Sequence, residues 1–130
     1  IQSQVDSYVN KEGSVLQAMD EIKKLTIEMK NALLQNRVRD FGTLLHEAWI
    51  QKKQMAKQIT NSQIDALYDT AREYGALGGK ILGAGGGGYL LLLCEFGRKH
   101  IIAAALEAMG AEPVDFHFVH DGLQTWEVSE

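Results

Sequence analysis

Gly78-Gly79-Lys80-Ile81-Leu82-Gly83-Ala84-Gly85-Gly86-Gly87-Gly88-Tyr89-Leu90-Leu91-Leu92-Leu93-Cys94 is where this chain changes character. Seven of the 13 glycines fall between positions 78 and 88. Each ordered glycine costs about 0.5–1 kcal/mol relative to alanine, so the cluster opposes stability unless something offsets it. Glycine reaches positive φ, and it lets backbone N–H groups approach a ligand with no Cβ in the way. Successive N–H groups then converge into a concavity suited to phosphate. A flexible linker would be laced with Ser or Pro and flanked by polar residues. Here Ile81-Leu82 precedes the loop and Tyr89-Leu90-Leu91 follows it. The stretch therefore reads as strand, loop 83–88, strand, with Tyr89 to Cys94 apolar enough to be buried on both faces; periodicity alone also allows a short buried helix there, whose length Gly88 and Gly97 would limit.

Two familiar phosphate loops do not fit. A Walker A loop ends in Gly-Lys-Ser/Thr, which Gly88-Tyr89 does not supply. Gly83, Gly85 and Gly88 match a dinucleotide fingerprint in spacing, but that motif opens a helix and the residues after Gly88 read as strand.

Upstream the pattern is helical. Ser14 and Gln17 have capping-box spacing, and Val15, Met19, Ile22, Leu25, Met29 and Leu33 form one apolar stripe. A second helix is predicted over about Val38 to Gln58, with Phe41, Leu44, Leu45, Ala48, Met55 and Ile59 inward. Asp40 suits the positive end of its dipole, and Lys52, Lys53 and Lys57 suit the other end. A third begins near Thr60-Asn61-Ser62, with Ile64, Leu67, Tyr68 and Ala71 as its stripe and Gly75 as its C-cap. Downstream, a helix spans about Arg98 to Met109 and Gly110 closes it. Val114, Phe116 and Phe118 then alternate with Asp115 and His117 as a half-buried strand. Asp121-Gly122 is a hairpin signal before a last strand from Leu123 to Val128. The order α-α-α-β-loop-β-α-β-β predicts an α+β fold, an antiparallel sheet backed by helices.

Length and charge bound the function. At 130 residues the chain makes one domain or part of one. With 13 basic and 17 acidic residues the net charge is −4, the wrong sign for a nucleic-acid-coating protein. No apolar run approaches the roughly 20 residues needed to span a bilayer, and no secretory signal opens the chain. The single cysteine, Cys94, forbids an internal disulfide and suits the cytoplasm. The chain opens at Ile1 without an initiator methionine, which favours a fragment of a longer protein.

The segment Gly79 to Gly88 resembles the third conserved motif of the GHMP kinases. Leu44-Leu45-His46-Glu47-Ala48-Trp49 with Lys52-Lys53, Ile59-Thr60-Asn61 with Ile64-Asp65 and Leu67-Tyr68, and Gly75 to Lys80 resemble the sugar-kinase branch of heptose phosphate kinases and fucokinases. The likeness is strong from about Gly42 to Tyr89 and loose at both ends. It implies a ferredoxin-like C-terminal domain over residues 1–130, with the ATP-binding N-terminal domain outside the chain. The first-domain Gly-Ser-Ser phosphate loop and its catalytic groups are absent, so the isolated piece is expected to have little or no activity. The resemblance further implies ATP and Mg²⁺ as cofactors, held mainly by the first domain. It implies a sugar phosphate as acceptor, D-glycero-D-manno-heptose 7-phosphate at its anomeric oxygen, with fucose- or galactose-type acceptors as alternatives. Gly83, Ala84, Gly85, Gly86, Gly87 and Gly88 would line the phosphate and substrate region. Lys80, Trp49 and Lys53 are candidate substrate contacts, and no catalytic or metal-binding residue is assigned. A non-catalytic module that senses a phosphorylated metabolite is the reading from a different class. Partners are ATP, a sugar phosphate and the chain's own first domain, with dimerisation across open strand edges as a further expectation. The plain alternatives are that Lys80 is a solvated strand residue, that Trp49 is partly buried under a snorkelling lysine, and that Cys94 is inert core. His46, His100, His117 and His120 share no metal-ligand spacing.

Overall fold

A computed structural model describes residues 1–9 and 13–130. Among these residues five helices and two strands run in the order α1 (Gln2–Val9), α2 (Gly13–Leu34), α3 (Val38–Met55), a 3₁₀ turn (Lys57–Ile59), α4 (Ser62–Tyr74), β1 (Ala76–Leu82), β2 (Tyr89–Cys94) and α5 (Lys99–Glu107). No helix among the described residues is long and apolar enough to cross a membrane.

α2 follows its predicted stripe with two adjustments. Among the described residues it runs from Gly13, and Ser14 is already helical and does not act as the N-cap. Near the far end Ala32 is buried while Leu33 is exposed. Asn36 then turns left-handed at φ 56° and Arg37 N–H closes back to the Ala32 carbonyl at 2.8 Å, so α3 returns along α2. α3 ends at Met55, three residues before its predicted end, because residues 57–59 tighten into the 3₁₀ turn. Asp40 lies in the first turn of α3, and Lys52 and Lys53 lie in the last, as dipole complementarity favours. α4 starts after Asn61, whose side chain accepts the Ile64 N–H, and stops at Gly75 at φ 118°.

β1 and β2 pair antiparallel, with Leu82 opposite Tyr89 and Lys80 opposite Leu91. α3 lies directly on β1: a Cβ on Gly78 would stand 2.7 Å from the His46 nitrogen and overlap the Gly42 carbonyl oxygen. The main core beside this crossing joins Trp49, Ala56, Ile59, Ile64, Tyr68 and Ile81, and Leu90 and Leu92 pack against it. A second cluster holds α5 to α4 and β1 through Ala71, Ala76, Ile102 and Leu106. A third links α2 to α3 through Val15, Ala18 and Met55.

Two strand expectations are corrected. β2 is half-buried, not covered on both faces. The strands predicted at Val114–Phe118 and Leu123–Val128, with their turn at Asp121-Gly122, do not form. Residues 112–130 carry no helix or strand, and Phe118 and Trp126 are 84% and 80% exposed. The physical reason is pairing: a strand needs a neighbouring ladder, and β1 and β2 pair only with each other. Phe116 and Phe118 still meet edge to face, centroids 5.4 Å apart, as alternate residues of an extended chain do.

Candidate functional site: a glycine loop held to the start of α4

The loop 83–88 turns on four left-handed glycines, Gly83, Gly85, Gly86 and Gly88, with φ between 75° and 96°. Two of them are explained by one neighbour. Gly86 N–H donates to the Ile59 carbonyl at 2.9 Å, and a Cβ on Gly85 would stand 2.6–2.7 Å from Ile59 atoms. Ile59 is 4% exposed in the main core, so the 3₁₀ turn is a fixed anchor for the loop. The Asn61 side chain adds a second tie, donating from Nδ2 to the Gly86 carbonyl at 3.2 Å. Six converging amides were the sequence expectation. Gly86 departs from it, because its amide points inward and is engaged within the chain.

Gly87 is different. Its φ is not left-handed and nothing lies within 4 Å of the Cβ position. Neither conformation nor packing within this chain asks for glycine there. The open space beside Gly87 is where a ligand could come close to backbone.

Three lysines lie on the elements that flank the loop's anchor, Lys52 and Lys53 in the last turn of α3 and Lys80 on β1. Lys53 Nζ lies 3.4 Å from Asp65 Oδ1, and the Thr60 hydroxyl donates to the same oxygen at 2.9 Å. This ties the last turn of α3 to the first turn of α4, next to the loop's anchor. Lys52 is held below the usual lysine pKa, first by burial and then by the Lys80 ammonium across from it. Lys80 itself is exposed on β1. Amides and ammoniums form a donor set for an anion. Asp65, the carboxylate in the first turn of α4, already serves Lys53 and Thr60. The residues present thus fit a phosphate and not a divalent cation.

Trp49 belongs to the interior. At 2% exposure it lies against Tyr68, ring centroids 6.0 Å apart, and its indole N–H is buried without a partner in the chain. The Trp49 indole is therefore not open to a substrate, and the side chain of Lys53, one turn on, is itself partly buried. His46 Nδ1 and the Tyr68 hydroxyl are 2.7 Å apart. Burial first, then the charges of Arg72 and Lys53, hold the His46 imidazole below its ordinary pKa. Burial raises the Tyr68 hydroxyl and the Cys94 thiol, so Cys94 is a poor nucleophile. His100, His117 and His120 are exposed. Among the described residues no three His, Cys, Asp or Glu side chains gather as a metal site. Two surface cavities, of about 400 and 340 Å³, lie along α2 and α3 and do not include the loop.

Asn61 is the site residue that pattern reading did not single out. Its position before α4 signals a cap, but its partner Gly86 is 25 positions away and leaves no local trace.

Fold and loop together define an α+β domain built around an anion-suited glycine hairpin. Residues 29–112 match the family described as GHMP kinases C terminal, and the chain belongs to that family. The D-glycero-alpha-D-manno-heptose 7-phosphate kinase of Campylobacter jejuni is 34% identical over 116 residues, covering 87% of this chain and 33% of the relative. The L-fucokinase/L-fucose-1-P guanylyltransferase of Bacteroides fragilis is 31% identical over 80 residues, 62% of this chain and 8% of the relative. A mevalonate kinase of Pyrococcus horikoshii is 35% identical over 71 residues, 55% of this chain and 21% of the relative. The chain spans a third or less of the length of these relatives.

Proposed function

We propose that residues 1–130 are the C-terminal domain of an ATP-dependent kinase acting on a sugar or sugar phosphate, with D-glycero-D-manno-heptose 7-phosphate as the leading acceptor. The acceptor's anomeric oxygen would attack the γ-phosphorus of ATP, ADP would leave, and the hydroxyl proton would be released. Phosphoryl transfer asks for positioning and charge stabilisation more than covalent chemistry. Oriented amides on a rigid anchor suit that task. The observation that carries the reading is the loop itself, clamped to the core at Gly85 and Gly86 yet open at Gly87. Similarity to a heptose 7-phosphate kinase over 87% of the chain supports the choice of acceptor.

This chain's contribution is one wall of the site. The amides around Gly87 receive phosphate oxygens, and Lys80 and Lys53 supply positive charge beside them. Lys53 is oriented by Asp65, which in turn is held by Thr60. Mg²⁺, if bound, would be held by residues outside this chain and would offset negative charge on the nucleotide. The rest of the protein also supplies the missing sheet partner: the apolar residues of 114–128 dock there in preference to a second copy of the chain. A fucose-type acceptor is the second reading, supported by the 31% identical fucokinase relative.

The test is a phosphotransfer assay of the full-length protein with ATP against heptose 7-phosphate, fucose, galactose and their phosphates. Transfer to heptose 7-phosphate with the highest kcat/KM is expected. If none of these acceptors is phosphorylated, the kinase assignment fails.

A further inference from the structure

We propose that Asn61 is a positioning residue for the glycine loop, its carboxamide setting the pose of Gly86 and so the direction of the neighbouring amides. The proposal rests on the kinase reading above.

The Asn61 side chain does two things at once. Oδ1 accepts the Ile64 N–H at 2.9 Å, which caps α4. Nδ2 donates to the Gly86 carbonyl at 3.2 Å. Because Gly86 N–H already donates to Ile59, both polar groups of that residue are tied to the 59–61 segment. A residue whose N–H and C=O are both held cannot change its φ and ψ freely. Gly87 N–H belongs to the peptide unit whose carbonyl Asn61 holds, so fixing Gly86 O also fixes the direction of the Gly87 amide. That amide borders the open space where no Cβ would meet anything. The cap accounts for the oxygen of Asn61, since Asp or Ser caps a helix as well as Asn does. Only the amide nitrogen adds a donor, and its one use here is Gly86. The same segment carries Thr60, which holds Asp65 and through it Lys53. Loop pose and lysine pose thus share one backbone hinge between α3 and α4.

The experiment uses the full-length kinase with N61S and N61D. Both variants keep a cap acceptor for Ile64. Neither keeps the amide donor for Gly86, and the serine adds no charge. Three quantities are read: Tm, amide hydrogen exchange across residues 83–88, and kcat and KM for ATP and acceptor. The expected result is an unchanged Tm, faster exchange across the loop and a roughly three- to tenfold fall in kcat/KM for both variants, the size set by one neutral hydrogen bond. Wild-type kcat/KM in N61S overturns the proposal. So does a loss of activity that follows Tm with loop exchange unchanged. A wild-type protein that transfers no phosphate condemns the kinase reading itself, and that shows in the control, not in the variants.

Discussion

The backbone of Gly78 in β1 rests against the carbonyl of Gly42 in α3, closely enough that neither residue has room for a side chain. A Cβ on Gly42 would lie 2.5 Å from the Cβ of Leu77, and one on Gly78 would lie 2.7 Å from the backbone nitrogen of His46. The nearest neighbours are backbone atoms or a Cβ fixed to the backbone, which cannot swing away. This crossing holds α3 over the strand that leads into the loop.

Gly78→Ala should therefore destabilise the protein by about 1–3 kcal/mol, the usual cost of forcing extra volume into a packed site. Denaturant unfolding reads this directly. A change below about 0.5 kcal/mol would mean that helix and strand are farther apart than described.

His46 should make stability depend on pH. Its folded pKa lies below the ordinary value of 6.5, because burial and the charges of Arg72 and Lys53 disfavour the imidazolium. The unfolded state then binds the proton more readily, so the His46 contribution is complete above pH 6.5 and is lost as pH falls below it. His46→Gln removes this titration. Tm of wild type and H46Q followed from pH 8 to 5 should diverge, with the wild type falling more steeply below about pH 6.5. Parallel curves would show that His46 titrates alike in both states.

Trp126 and Trp49 should report different surroundings. Trp126 is 80% exposed and Trp49 is 2% exposed. In the 130-residue chain, acrylamide should quench Trp126 and spare Trp49. In the longer protein Trp126 should be shielded as residues 114–128 find their partner. Equal quenching of Trp126 in both proteins would remove the proposed docking of this segment.

What could be read from sequence followed how local the signal was. The stripe from Val15 to Met29, the cap position of Asn61 and the stop at Gly75 rest on neighbours three or four residues away. The glycine hairpin was legible because breaker residues stand between two apolar runs. Val114 to Phe118 has an equally good strand pattern, yet alternation states only which face is apolar and not whether a partner exists. Burial of Trp49 was legible only in part, as the alternative of an indole under a lysine, since its full cover comes from Tyr68, Ile64 and Ile81 on later elements. The Asn61–Gly86 tie spans 25 residues and depends on how α3, the 3₁₀ turn and β1 come together.

Gly87 offers the most direct test of whether the loop serves a ligand. With a φ outside the left-handed region and open space at its Cβ, Gly87→Ala should raise stability by about 0.4–1 kcal/mol by restricting the unfolded chain. If phosphate comes close to this backbone, Gly87→Val should instead obstruct the reaction. The decisive measurement is kcat/KM for phosphotransfer by full-length G87V beside wild type, with Tm taken on the same samples. A Tm at or above wild type with at least a tenfold loss of kcat/KM is the predicted result, and wild-type kcat/KM in a folded G87V protein would contradict it.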